Sequence, residues 1–310
     1  MLTEQAYHKA RYWIYRNTRP LDLSRWQYHF ENGSKENVLN ALSVYQNEDG
    51  GFGHALEADS WNPNSTPIQT WTAIEILHEI GFTSKEHPVI KGILRYLDSG
   101  ADYDGRFWYN TVMSNNDYPH APWWHTESES SSHTDYNPTA CLAGFALCYS
   151  KINSSLYYKC LEIAAEAVRK YLSEDYLKDM HTVSCYIRLM EYCEESGLVD
   201  LFNAPILKQK LIKQVKVSIT ADTSLWRTSY ICKPSQFLKS PSSLFYNANK
   251  EVADYEYEYI AHSRNTDGIW DITWSWNEYP KEWAITENWW KGNLAILNML
   301  YLKNFGQLLP

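Results

Sequence analysis

A chain of 310 residues with 44% apolar and 21% charged side chains can bury a substantial core, which excludes wholesale disorder. Its net charge of −9, from 37 acidic and 28 basic residues, excludes a broad nucleic-acid footprint, because phosphate neutralisation needs clustered Lys and Arg. No apolar run approaches the roughly 20 residues that cross a bilayer, and the opening MLTEQAYHKARYW has no signal-peptide core, so a cytoplasmic protein without a transmembrane segment is expected.

Helical periodicity begins with Val38, Leu39, Leu42, Val44 and Tyr45 and runs into Asn47-Glu48-Asp49-Gly50-Gly51-Phe52. A loop of residues 53–66 follows, then a helix over residues 67–80 opened by Pro67. Val89, Ile90, Ile93, Leu94 and Leu97 predict the next helix, which leads into Tyr103-Asp104-Gly105-Arg106-Phe107-Trp108. Residues 118–125 form an aromatic and polar cluster, and the polar run 126–133 beside Trp123 and Trp124 would suit a lid over a pocket. Further helices are expected over residues 138–149, 156–172, 181–195 and 205–217; the basic face of residues 208–216 reads as solvated surface. A helix over residues 252–261 then runs into Asn265-Thr266-Asp267-Gly268-Ile269-Trp270, and a last helix covers residues 283–302.

Three of these segments are one phrase repeated. Asp-Gly followed by bulky apolar residues ends a helix each time, Asp supplying the turn and Gly the positive φ. Asp49 to Asp104 is 55 residues and Asp104 to Asp267 is 163, close to three times 54. Two helices per quantum of about 54 is a helical-hairpin repeat, which an open solenoid would show as well as a closed ring.

Residues 42–53, containing Gln46 and the run Asp49-Gly50-Gly51-Phe52-Gly53, resemble the QW-type repeat of squalene–hopene cyclases and of protein prenyltransferase β subunits. The third copy has Arg264 at the Gln position, the second has no clear equivalent, and copies expected near residues 158 and 213 are not recognisable. The resemblance implies an all-α fold, an α/α toroid with a central cavity, built as one domain over residues 1–310 from five to six hairpins. It is also similar to a group of bacterial prenyltransferase-like proteins grouped by this repeat.

The residues between the first turn and its following helix carry the most chemistry. Glu57 and Asp59, two residues apart, would repel one another in a desolvated cavity and leave one protonated as a general acid; the competing reading is that they hold the loop or cap the helix. His54 and Trp61 lie beside them as candidate ligand contacts. Terpenoid cyclases protonate from the middle Asp of a D-x-D-D-T-A motif. The corresponding segment here is Asp135-Tyr136-Asn137-Pro138-Thr139-Ala140, and Asn137 cannot deliver that proton. Prenyltransferase zinc needs an Asp-x-Cys, which is absent, and no aspartate run would hold magnesium diphosphate. No metal and no cofactor is therefore expected, and the six cysteines, without a CxxC, read as reduced core thiols.

Fourteen Trp and 24 Tyr ask for an aromatic core or an aromatic cavity. Trp123, Trp124, Trp270, Trp274 and Trp276, with Asp135, Asn137, Asp271 and Glu287, are the further candidates for ligand binding. Such faces stabilise carbocations and equally stack on sugar rings beside paired carboxylates. The first expectation is a terpenoid-cyclase-like enzyme that protonates an isoprenoid. A carbohydrate-active α/α-barrel enzyme and a non-catalytic lipid- or glycan-binding protein are the alternatives.

Overall fold

A computed structural model describes residues 1–128, 135–200 and 202–308. Among them are eleven α-helices: α1 (Glu4–Asn17), α2 (Pro20–Phe30), α3 (Lys35–Ser43), α4 (Pro67–Glu79), α5 (Pro88–Ser99), α6 (Thr139–Tyr149), α7 (Ser155–Ser173), α8 (Met180–Glu195), α9 (Ala204–Ser218), α10 (Lys250–His262) and α11 (Pro280–Asn304). No β-strand occurs among the described residues, only isolated bridges, and no helix there is long and apolar enough to cross a membrane. The chain is thus all-α, and the nine helices expected from periodicity are α3 to α11. The pattern raised no expectation for α1 and α2. Of the polar run 126–133, residues 129–133 lie outside the described residues.

The chain divides into two compact units, Met1–Ala41 with Val215–Pro310, and Leu42–Gln214. In the first, α11 packs against α1, α2 and α10. Thr3 caps α1 by accepting from the Ala6 N–H, and Ala6, Ala10 and Ile14 present a buried stripe at a spacing of four. That stripe joins Trp26, Ile260, Trp270, Ile296 and Met299 in one core. Asp22, fully buried on α2, is held between Arg19 Nε at 2.9 Å and Arg25 Nη1 at 3.1 Å, and Arg25 reaches Asn293 on α11 at 2.8 Å.

In the second unit α6 packs against α4, α5, α7 and α8. Every residue of α6 from Thr139 to Leu147 is buried, as expected of a helix apolar on all sides. Gly144 lets α8 approach, since a Cβ there would lie 3.2 Å from Leu189 Cα. Thr66 caps α4 and Pro67 opens it; Asp179 caps α8 by accepting from the His181 and Thr182 N–H groups.

The repeated phrase folds in two ways. Around Asp49-Gly50 the Asn47 N–H donates to Gly51 O at 2.9 Å and the Gly50 N–H to Asn47 O at 3.0 Å. Around Asp267-Gly268 the equivalent bonds run from Asn265 to Ile269 O at 2.7 Å and from Gly268 to Asn265 O at 3.0 Å. The second phrase instead pairs Tyr103 with Trp108 around residues 104–107, a shorter hairpin than the Gln46–Phe52 pair closes. Gly50, Gly105 and Gly268 have φ of 97°, 99° and 84°, which explains the glycine in all three. Gln46 Nε2 donates to Gly50 O at 2.9 Å and to Val89 O at 3.1 Å, fastening the first turn to the start of α5. At the corresponding third position Arg264 Nε donates to Ala261 O at 3.3 Å, within its own helix end.

Candidate functional site

The loop after the first turn is over-determined by hydrogen bonds. Its Trp61 N–H donates to Pro119 O at 2.9 Å, and Asp59 O accepts from the Ala121 N–H at 2.8 Å, so residues 59–61 lie along residues 119–121. Beneath them is a buried amide cluster. Asn62 Nδ2 donates to Ser114 Oγ at 2.8 Å and to Asn115 Oδ1 at 2.9 Å, Ser60 Oγ donates to Asn115 Oδ1 at 3.2 Å, and Asn115 Nδ2 donates to Trp124 O. Gln69 of α4 accepts from the Leu56 N–H and donates to Asn62 O. His54 and Ala55 both hold φ of 59°, a costly conformation for non-glycine residues that persists where surroundings enforce it, and His54 Nε2 sits 2.9 Å from Asn47 Oδ1.

Asp59 is buried and Glu57 half-buried on this loop. Trp123 is exposed, whereas Trp124 is half-buried and its indole N–H has no hydrogen-bond partner among the described residues. His120 and His125 stack at 5.4 Å with Nε2 and Nδ1 3.2 Å apart. Because His120 Nδ1 faces the Tyr118 carbonyl at 2.6 Å it carries a hydrogen, so with both rings neutral His125 donates to His120 Nε2.

Asp135 and Asn137 lie just ahead of α6. Asp135 Oδ1 accepts from the Asn137 N–H at 2.9 Å and Oδ2 from Thr182 Oγ1 at 3.3 Å; Asn137 Oδ1 accepts from Cys185 Sγ at 3.5 Å.

A charge network links α4 to α8. Arg188 grips both oxygens of Glu75, Nε to Oε1 at 2.9 Å and Nη2 to Oε2 at 2.7 Å, while its Nη1 meets Glu191 and, at 2.6 Å, His78 Nε2. The Trp71 indole N–H adds a bond to Glu75. Burial works to raise the Glu75 carboxyl, but the charge and hydrogen bonds of Arg188 overcome it and hold Glu75 below its ordinary value. Glu191, gripped through one oxygen only, stays raised by burial.

The first unit contains a buried carboxyl group in the wall of a cavity. Trp226, Lys233, Ser235, Glu256, Tyr259 and Trp270 are among the residues lining a cavity of about 130 Å³, with Asp271 and Asn298. Glu256 on α10 is 1% exposed. Its Oε2 accepts from the Ser235 N–H and its Oε1 pairs with Ser235 Oγ, both at 2.6 Å. Burial pushes the Glu256 carboxyl up to about 7, against the pull of Ser235, Lys233 and Lys239. Lys233 Nζ lies 5.2 Å from the Tyr259 ring centre, and burial holds its ammonium below the ordinary value while Glu256 pulls the other way.

Trp270 and Asp271, singled out from the third repeat, line this cavity. Asp271 and Glu287 both meet Lys291, at 3.5 Å and 2.7 Å. Trp274 packs edge-on against Trp290 and Tyr230, and buried Trp276 packs on Trp283. Sequence reasoning missed Glu256, Lys233 and Ser235, as well as Glu75 and Arg188. The available signal for Glu256 was its place on the buried stripe of α10, between Ala253 and Ile260. A larger hollow of about 390 Å³ in the second unit is open surface lined by Glu174, Tyr176 and Lys210, whose ammonium closes the end of α7 through Tyr171 O and Glu174 O. Among the described residues no three His, Cys, Asp or Glu side chains are grouped to hold a metal ion. Compared with protein-family models, curated proteins and solved structures, the chain shows no significant match.

Proposed function

We propose that this chain is an enzyme that transfers a proton between Glu256 and a small polar ligand held against Trp226, Tyr259 and Trp270. One observation carries the reading: an almost fully buried carboxyl group stands in the wall of an aromatic cavity. An acid of pKa near the working pH can both donate and accept. At about 130 Å³ the cavity is smaller than the several hundred Å³ of pockets that enclose a whole drug-sized molecule, so it suits a small compound or the reacting end of a larger one.

The scaffold proposed with it is a single α/α toroid of five to six hairpins with a central cavity, of the terpenoid cyclase and prenyltransferase type. The shared hydrogen bonding of the first and third turns supports it, as does the tie from Gln46 to Val89.

Cyclisation of an isoprenoid after protonation is the second reading, favoured by the three aromatic faces. Lys233 weighs against it. Its ammonium already sits over Tyr259 and would repel a carbocation there, and its free amine would capture one. Ser235, Thr273 and Asn298 suit a polar ligand better, which keeps the carbohydrate-type alternative in play.

The test is a thermal-shift screen of the purified chain against prenyl diphosphates, squalene-like hydrocarbons, oligosaccharides and small carbonyl compounds, followed by product analysis with each stabilising compound. A ligand at 100 times its Kd stabilises by about 2.7 kcal/mol. Glu256→Gln is expected to lower turnover by about 100-fold or more. Undiminished turnover in that variant, with loss in a Glu57→Gln, Asp59→Asn double variant, would move the acid to the loop.

A further inference from the structure

We infer that Lys233 is a nucleophile and that the ligand of this cavity is a small aldehyde or ketone, captured by Lys233 as an imine. The inference rests on the assignment of Glu256 as the acid of the same cavity. Imine formation needs an amine that is partly desolvated, an acid within the same enclosure, and room for a small carbonyl compound.

Each requirement has a residue. Lys233 is half-buried and lines the cavity together with Glu256. Its place is set by the chain itself: Pro234 opens a short 3₁₀ turn, Pro234–Gln236, and Ser235 in that turn grips both carboxyl oxygens of Glu256. Only Pro234 therefore separates the residue that carries the amine from the anchor of the acid. The Tyr259 face beneath Nζ holds the side chain when it is charged and offers no hydrogen-bond donor that would tie up the lone pair when it is not.

The shifts of the two groups support this geometry, since burial favours the neutral form of both Lys233 and Glu256. A neutral amine beside a neutral carboxylic acid is the pair the reaction consumes. The Lys233 nitrogen lone pair forms a bond to the carbonyl carbon as the carbonyl π bond breaks, and the nitrogen gives up a proton to the new oxygen. Glu256 then protonates that hydroxyl, the C–O bond breaks, and water leaves. The nitrogen lone pair forms the C=N bond, and the Glu256 carboxylate recovers a proton when the iminium deprotonates. No oxidant or reductant is required.

The experiment uses the full chain at pH 7 with pyruvate or D-glyceraldehyde and sodium cyanoborohydride, which reduces an imine to a stable secondary amine. Adducts on each lysine are then quantified by peptide mass spectrometry. Lys233 is expected to be labelled at least about ten times faster than the exposed Lys216, since a desolvated amine carries more free base than a solvated one. Lys233→Arg keeps a cation over Tyr259 and should lose this fast phase while other lysines label as before. Labelling of Lys233 no faster than Lys216 with either compound overturns the inference. That outcome leaves the acid assignment standing if Glu256→Gln still lowers turnover in the ligand screen. Fast labelling of Lys233 that Glu256→Gln does not slow supports the amine and overturns the acid.

Discussion

Ser235 meets Glu256 through two groups, its backbone N–H at 2.6 Å from Oε2 and its hydroxyl at 2.6 Å from Oε1. The two groups differ in kind. The N–H can only donate, whereas the hydroxyl can donate to a carboxylate or accept from a carboxylic acid. The proton of the neutral acid therefore belongs on Oε1, and Oε2 remains an acceptor in both charge states. The carboxyl can change charge without losing either contact.

The first prediction concerns pH and stability. Glu256 has an ordinary value of 4.5 and a folded value of about 7. Below 4.5 both the folded and unfolded chains hold the proton. Between 4.5 and 7 the unfolded chain releases it and the folded chain retains it, so stability falls as pH rises, and above 7 the loss is complete. Its size is about 3 kcal/mol. Urea midpoints at pH 5 and pH 8 should show this decline in the wild type. Glu256→Gln, which preserves an acceptor for the N–H and a donor for the hydroxyl, should be flatter over the same interval. Equal slopes would mean that Glu256 ionises freely in the fold.

Removing only the hydroxyl gives the second prediction. The Ser235 side chain lowers the carboxyl pKa against the larger effect of burial. Ser235→Ala should therefore move the Glu256 midpoint upward, read from the carboxyl carbon chemical shift in an NMR pH titration. Stability at pH 8 should fall by about 1–2 kcal/mol, because the carboxylate loses a charge-assisted bond. A midpoint that moves downward would show that the hydroxyl serves the protonated form instead.

The fold was legible where apolar spacing is strong and the ends are marked. α5 shows this best, with Pro88 at its start, Gly100 in the left-handed conformation at its end, and Val89, Ile90, Ile93, Tyr96 and Leu97 buried between. α1 escaped notice because two of its three buried residues are alanines, which carry little hydrophobic signal. The candidate site was legible only in part. Trp270 and Asp271 follow a repeated phrase and so drew attention, whereas Glu256 resembles any helical glutamate until its partner is known. That partner, Ser235, is 21 residues earlier in a stretch of short 3₁₀ turns, where no periodicity points to it. The segment around Asp135 marked the start of α6 as a helix boundary; Asp135 there accepts from the Asn137 N–H and from Thr182 on α8.

The two glycines of the first and second turns separate backbone strain from crowding. Gly50 and Gly105 have nearly equal φ, 97° and 99°. A Cβ at Gly50 would lie 2.1 Å from the Gly92 carbonyl oxygen, whereas one at Gly105 would meet nothing within 4 Å. Gly105→Ala is expected to cost about 1–2 kcal/mol, the penalty of the left-handed backbone alone. Gly50→Ala should cost at least about 2 kcal/mol more, because backbone must move and the bonds from Gln46 to Gly50 and Val89 are strained with it. Denaturant midpoints of the two variants decide the matter, and equal losses would show that the contact between Gly50 and Gly92 relaxes without penalty.

Arg188 offers the last test, since it divides two carboxylates that respond to pH in opposite senses. Glu75 is held below its ordinary value, so its contribution is present above that value and is lost as pH falls through the folded one. Glu191 is raised, so the folded state is penalised as pH rises through its ordinary value toward the folded one. In the wild type the two effects partly cancel. Glu191→Gln removes the second effect, and stability near neutral pH should rise slightly or stay level. Arg188→Met removes the partner of both, leaving Glu75 with the Trp71 indole and raising its carboxyl. With the side chains of Glu75 and Glu191 still 35% and 37% exposed, solvent screens much of the loss, and about 1–2 kcal/mol is expected. Adding Glu75→Gln to Arg188→Met should restore part of it, because the uncompensated charge is gone. If the double variant is no more stable than Arg188→Met alone, the pair acts through packing of the arginine stem rather than through its charge.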